Sequence, residues 1–363
     1  MATGIRPACG CFCKAFVPLA SMLMKLMQQI GQRTLLSPAP NQEYRRFIDH
    51  YPVTDGVFGQ MDFVPEHEYS GTSYPLKDVP AFFGLFDRHV FYDWFGLPNK
   101  THGDFRTAYA YSTSHFLDSL LEAAGRGAPE AAGRVLLLGN ADPRLSAALG
   151  RSEERAERLA RLKRHFQRIL STSKDLPIPG VHGFPMGLCE YRLRAYWQQA
   201  SASIGAASLD LEAKPLGIFA AWHDKPYSNP PTLARRKAVA WAKTAAAQRA
   251  GVDLRTVEPG SWWPELARYK FLLTPEGVSV QTSKVVEALL VLTVPIVQRY
   301  AAFDDLVGTG FPIVVVDRWP EINASKVEEW WRALMPRLGS FRRNCLTTHA
   351  YWQLLTGGID RCE

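Results

Sequence analysis

The sequence predicts an α/β protein whose strands run parallel. Three observations carry this. From residue 215 to 338, short apolar runs alternate with helix-length segments, the rhythm of strands joined by helical crossovers. Arg134-Val135-Leu136-Leu137-Leu138-Gly139 enters the turn Asn140-Ala141-Asp142-Pro143, as a strand buried on both faces does. Residues 151–171 carry Leu159, Leu162, Phe166 and Ile169 at helical spacing, which predicts a helix to cover that strand. Crossovers in such sheets are right-handed, and ligands bind outside the carboxyl ends of the strands.

In chain order, residues 1–40 read as a leader and linker closing on Ser37-Pro38-Ala39-Pro40. Within it, residues 15–27 are apolar but for Ser21 and Lys25, and Arg6 and Lys14 precede them. That run is short for a membrane span and reads as a signal-peptide core, an anchor or a transit leader, with weak membrane association as its reach. Residues 41–100 look loop-rich, with prolines and aromatics interleaved. Residues 105–124 read as a helix on Phe116, Leu117, Leu120 and Leu121. Residues 178–188 read as a strand end and loop, and 191–202 as a helix. The clear rhythm then begins, with strands at 215–222, 252–257, 270–274, 294–298 and 312–317. Helices are expected at 233–249, 262–269, 282–292 and 325–338, and a turn or helix at 303–306. A last helix at 342–355 is expected to cross back to the N-terminal half. The domains read are 41–205 and 206–340, with 341–363 as the tail.

The chain has 363 residues, long enough for two ordinary domains. Aromatics make up 12%; most fill cores, though ring faces also suit the C–H faces of sugars. Lys and Arg exceed Asp and Glu by 42 − 35, a net +7 that favours anionic partners. The basic residues do not form a tail, and 151–168 interleaves Glu153, Glu154 and Glu157, so nucleic acid is not the expected partner. Cys9, Cys11 and Cys13 crowd the N-terminus, as palmitoylation sites or as part of an unstructured leader, while Cys189, Cys345 and Cys362 lie apart. Without a Cys-x-x-Cys pair, no zinc site is expected. The sequons Asn99-Lys100-Thr101 and Asn323-Ala324-Ser325 lean towards the secretory pathway (Golgi), with the cytoplasm as the alternative.

The chemically informative stretch begins Tyr269-Lys270-Phe271-Leu272-Leu273-Thr274-Pro275-Glu276-Gly277. It continues through residues 278–281 to Thr282-Ser283-Lys284-Val285-Val286-Glu287-Ala288-Leu289 and closes on Thr293-Val294-Pro295-Ile296-Val297. A buried strand runs into a loop with a carboxylate and a glycine, then into a helix that Thr282 or Ser283 can cap. The first turn of that helix, with Lys284 in it, suits a diphosphate, and Glu287 suits ribose hydroxyls. The bland reading is a capped surface helix with a Lys284–Glu287 pair.

This stretch resembles the donor motif of the exostosin-like glycosyltransferases: strand, Ser/Thr-Pro-x-Gly, polar loop, a helix with Glu-Ala-Leu, then Pro-Ile-Val. It is also similar to the α1,3-fucosyltransferase motif, in the order Lys270-Phe271, Glu276, Thr282-Ser283-Lys284 and Ala288-Leu289. Pro312 to Trp319 followed by Glu321-Ile322, and Asn229 with Arg235 and Arg236, extend the exostosin-like resemblance over residues 215–335. The resemblance implies two Rossmann-like domains facing a cleft, the GT-B arrangement. It implies transfer from a UDP- or GDP-sugar to a glycan hydroxyl, with inversion; no Asp-x-Asp pair follows an apolar strand, so no metal or other cofactor is expected. Donor contacts would come from Asn229, Arg235, Thr274, Glu276, Gly277, Thr282, Ser283, Lys284 and Glu287. The sequence departs from the pattern in Val278-Ser279-Val280-Gln281, where the family has Gly-x-Asp and an Arg, and in Ser283, where fucosyltransferases have an acid.

For the general base, Asp142 is the candidate after the 134–139 strand, with an Asx turn as the alternative. Asp87, His89, His102, His182 and Glu190 are unranked further candidates. Asp210-x-Glu212 is a weak substitute for a metal-binding carboxylate pair. P-loop and dinucleotide glycine motifs are absent from the sequence. The alternative function is a catalytically inactive relative that binds glycans or scaffolds another transferase. A third reading, a nucleotide- or RNA-binding α/β protein, needs a contiguous basic face that the sequence does not display.

Overall fold

Strands of three to five residues build the first half of the molecule. The computed structural model describes residues 42–52, 88–90, 105–111, 114–125, 133–139, 144–207, 211–214, 216–221, 232–277 and 279–363. In chain order the elements begin with α1 (Gln42–His50), β1 (Arg88–Val90), β2 (Thr107–Tyr111), α2 (Ser114–Gly125) and β3 (Val135–Gly139). There follow the one-turn α3 (Leu145–Ala148), α4 (Ser152–His165), β4 (Arg168–Ser171), β5 (Val181–Gly183) and α5 (Glu190–Ala206). The strands form a parallel sheet in sequential order, β1-β2-β3-β4-β5. Alternation sorts their side chains to two faces. Ala108, Ala110, Leu136, Leu138 and Ile169 pack with Leu117, Leu120 and Leu121 of α2 and Leu162 of α4. Tyr109, Val135, Leu137 and Leu170 enter a second cluster on the opposite face, which also holds Phe47 of α1.

Two expected helices are corrected here. Residues 105–124 divide into β2 and α2, because Thr107-Ala108-Tyr109-Ala110-Tyr111 alternates across a sheet and pairs along its length with β3. Residues 151–171 divide into α4 and β4. Phe166 ends α4 with extended backbone (φ −132, ψ 124), so it reaches the core from the link to β4 and Ile169 reaches it from β4 itself, neither from the helix face. Residues 41–100, read as loop, contain α1 and β1.

The second half follows its expected alternation more closely. It runs β6 (Leu216–Ala220), α6 (Thr232–Ala242), α7 (Ala245–Arg249), β7 (Val252–Leu254), α8 (Trp262–Leu266), β8 (Tyr269–Thr274), α9 (Lys284–Leu290), β9 (Val294–Gln298), α10 (Ala301–Gly308), β10 (Val314–Val316), α11 (Ala324–Cys345) and α12 (Thr348–Thr356). Short 3-10 turns occupy Leu211–Ala213, Pro259–Ser261 and Trp319–Glu321. The helix expected at 233–249 is two, because the Thr244 hydroxyl accepts from the Ala247 amide and starts a new helix. The helix expected at 325–338 runs on to Cys345. The one expected at 342–355 is broken where the Thr347 hydroxyl caps α12. Asn323 of the second sequon is the N-cap of α11, its Oδ1 accepting from the Lys326 amide at 3.1 Å.

These strands are also parallel, in the order β7-β6-β8-β9-β10. The chain goes from β6 outward to the edge at β7, then returns to place β8 on the other side of β6. That reversal makes the gap between β6 and β8 the topological switch point, where doubly wound sheets open a crevice at their carboxyl ends.

The apolar cluster on the inner face of the first sheet continues through the second sheet. Helix α12 adds to it, with Tyr351 edge-on to Phe184 at 5.6 Å and the Arg168 guanidinium donating to the Leu354 carbonyl at 3.0 Å. Residues 42–363 belong to one compact unit. Residues 15–27, the three N-terminal cysteines and Asn99 lie outside the described residues. Among the described residues no helix is long and apolar enough to cross a membrane.

Candidate functional site

The motif of residues 269–297 surrounds the switch point. Strand β8 is buried along its length apart from Lys270, and ends on Thr274, whose hydroxyl donates to the Leu272 carbonyl at 3.3 Å. Beyond the loop, Lys284 opens α9 and reaches across to β6. Its ammonium donates to the Ala221 carbonyl at 2.8 Å, one residue past the end of β6, and lies 4.2 Å from the centre of the Trp262 ring. A cation over an indole face is held by the ring quadrupole. Glu287 grips the edge of the same indole: its Oε2 accepts from Trp262 Nε1 at 2.7 Å, and its Oε1 from the Ser283 hydroxyl at 2.8 Å. Glu287 is 4% exposed. Helical spacing brings Lys284 and Glu287 to one tryptophan, the cation on its face and the carboxylate at its N–H.

The capping expectation is corrected. Ser283 stands at the N-cap position with helical backbone (φ −54, ψ −23), and its hydroxyl turns to Glu287 instead of the backbone. Helix α9 has 7 residues, so its dipole is small beside a full side-chain charge. Positive charge here comes from Lys284 and from Arg235 in α6. A Cβ on Gly277 would stand 2.9 Å from Thr282 Cγ2, so a side chain there would press on the start of the next turn, and 3.3 Å from Arg235 Nη2, which places that guanidinium beside the turn. The Gly277 amide donates to the Ser279 carbonyl at 3.2 Å, which closes the turn. Among the described residues, the hydroxyls of Thr172, Ser279 and Thr282 are buried without a hydrogen-bond partner.

Glu276 looks the other way, towards the first sheet. Its carboxylate accepts from Arg144 Nη2 at 2.8 and 3.1 Å and from the Tyr300 hydroxyl at 2.7 Å. Arg144 follows β3 and Tyr300 follows β9, so three loops at strand carboxyl ends share one ion-pair network. Burial opposes the charge on Arg144, but the bond to Glu276 prevails and raises its pKa. Burial and the same carboxylate push the Tyr300 hydroxyl up to about 12, so at neutral pH it stays a donor.

Two more contacts join the same edges. Gln281, 2% exposed, donates to the carbonyls of Thr172 and Phe184 at 2.8 Å each and accepts from the Met186 amide at 3.2 Å. Lys174 donates to Asp305 at 2.6 Å, and the Gly183 amide donates to the same carboxylate oxygen at 2.5 Å. Gly183 has no room for a side chain, because a Cβ there would stand 2.8 Å from the Ala302 carbonyl oxygen.

The structure therefore brings Arg235, Thr274, Glu276, Gly277, Thr282, Ser283, Lys284 and Glu287 to the carboxyl ends of β6 and β8. Asn229 and the candidate base Asp142 lie outside the described residues, as do Asp87, His102 and Asp210. His182 is exposed on β5, Glu212 is exposed in a 3-10 turn, Glu190 opens α5 and His89 is in β1. Among the described residues no group of three His, Cys, Asp or Glu side chains could hold a metal ion. Sequence reasoning missed Arg144, Trp262, Gln281 and Tyr300. Their partners lie from 22 to 156 residues away, beyond any local spacing rule. No protein-family model matches this chain, and no curated protein matches it.

Proposed function

We propose that the protein is a glycosyltransferase of GT-B type, which moves a sugar from a nucleoside diphosphate sugar to a hydroxyl of a glycan or glycoconjugate. In this reading the second sheet holds the donor at its switch point and the first sheet presents the acceptor. The observation that carries it is the placement of Lys284 at the carboxyl end of β6 and of the Arg235 guanidinium beside the Gly277 turn that follows β8. Doubly wound sheets take phosphorylated ligands at this place, and two cations there suit a diphosphate.

The chemistry follows from the charges. The acceptor oxygen attacks the anomeric carbon, the bond from that carbon to the diphosphate breaks, and the hydroxyl proton passes to a base. Asp142, two positions before Arg144, is the base in this reading. Negative charge grows on the leaving diphosphate, and Lys284 and Arg235 stabilise it without a metal. Glu287 serves as a positioning residue, since its bond to Trp262 Nε1 fixes the ring that holds the Lys284 ammonium. The buried hydroxyls of Ser279 and Thr282 cost stability as they stand, a cost that binding sites commonly carry.

A second reading, an inactive relative that binds glycans, is favoured by one observation. Glu276 is occupied by Arg144 and Tyr300, and a ribose would have to share it. Release of free nucleoside diphosphate decides between the two. The full chain is incubated with UDP- and GDP-sugars and a panel of glycan hydroxyl acceptors. Acceptor-dependent release of one nucleotide is the expected result. Glycan binding with no release from any donor would establish the inactive reading.

A further inference from the structure

Two buried thiols meet outside the site just described. Cys345 is the last residue of α11, and Cys362 lies in the segment after α12; they are 1% and 2% exposed. The chain between them carries α12 out and returns. Backbone and side-chain bonds fix the return: the Cys362 amide donates to the Thr309 carbonyl at 2.8 Å, and Asn344 Nδ2 donates to the Glu363 carbonyl at 3.0 Å. Gly310 (φ +100) passes against the Cys362 carbonyl, and the Arg337 guanidinium holds the Gly310 carbonyl at 2.8 Å. Both cysteines stand as thiols in this structure. Cys345 Sγ donates to the Glu363 carbonyl at 4.0 Å, one residue past Cys362, and the neighbouring thiols hold the Cys345 pKa up and the Cys362 pKa down. No third ligand that would make the pair a metal site stands with them among the described residues.

We infer that Cys345 and Cys362 are a disulfide pair, closed by a small-molecule or protein disulfide, whose bond clamps α12 onto the first sheet. Helix α12 is the element inside the closed loop. It reaches that sheet through Tyr351 against Phe184 and through Arg168 on the Leu354 carbonyl. The exchange balances in two steps. The Cys362 thiolate attacks one sulfur of the oxidant, whose other half leaves as a thiolate. Cys345 then gives up its proton, its sulfur attacks Cys362 Sγ in the mixed disulfide, and the second half of the oxidant leaves. Two electrons pass to the oxidant, which departs as two thiols. Access comes from local opening of residues 357–363, and burial afterwards shields the bond.

The test uses the full chain in a buffer of reduced and oxidised glutathione. It is acid-quenched, alkylated under denaturing conditions and digested without reductant for mass spectrometry. The expected result is a cross-linked fragment joining the peptide of Cys345 to that of Cys362, lighter than the sum of the two by two hydrogens. Reduction should lower the melting temperature by about 3–4 °C. A Cys345→Ser, Cys362→Ser double variant should lose that dependence on reductant. Alkylation of both thiols, or bonds from either to another cysteine, overturns the inference. The wild-type fragment map decides this alone if the variant does not fold.

Discussion

Lys214 is 9% exposed, and its ammonium donates to the carbonyls of Tyr269 and Val291 and to the Thr293 hydroxyl, at 3.0, 2.9 and 3.0 Å. Burial pushes its pKa down to about 7 from 10.5. The unfolded chain therefore keeps a proton that the folded chain releases between about pH 7 and 10.5, so this group's contribution to stability rises with pH across that window. Below the folded pKa both states are protonated and the dependence is flat. Lys214→Met leaves the Val291 carbonyl without this donor and should cost about 1–3 kcal/mol at pH 7. Urea titrations at pH 7 and 9.5 check both points: the wild type should gain stability on Lys214's account at the higher pH, and the variant should lack that gain. Trp262 illustrates what a sequence conceals at this scale. Lys284 and Glu287 are visibly three apart, yet the residue that makes them a unit is 25 positions from Glu287, and only folding brings it there. Arg144 and Glu276, 132 apart, are legible as charges and illegible as a pair.

Among the elements, the second sheet was readable because β6, β8, β9 and β10 are apolar runs set in an alternation with helices. The first was less so. Its β2 and β4 are flanked directly by helical sequence, and the period of the neighbour masked theirs. Tertiary pairing with β3 decides both. Loops between elements were illegible for another reason: their partners lie on the other sheet. Gln281 is the clearest case, one buried amide meeting three backbone groups of the β4–β5 region. Gln281→Leu should destabilise by about 2–3 kcal/mol, because those groups lose their partner in a dry setting. Gly183→Ala should cost about 1–3 kcal/mol, since its methyl would meet the Ala302 carbonyl and force β5 from α10. Denaturant midpoints measure both. Cost-free substitution at either position would contradict the packing described for the two sheets.

At the scale of the molecule, the two sheets share one apolar cluster and join through Arg144–Glu276, Gln281 and Lys174–Asp305. Residues 42–363 should therefore unfold together, with far-UV circular dichroism and tryptophan fluorescence following one transition. Separate transitions would mean that the shared core does not couple them. Under the proposed function, the switch point of the second sheet binds a nucleoside diphosphate sugar through Lys284. Isothermal titration calorimetry with UDP, GDP and CMP and their sugars, on the wild type and on a folded Lys284→Ala variant, tests it directly. One nucleotide should bind with a Kd below about 1 mM, and the substitution should weaken it at least tenfold, or about 1.4 kcal/mol. Absence of binding by every nucleotide at millimolar concentration, or equal binding by wild type and variant, would contradict the proposed function.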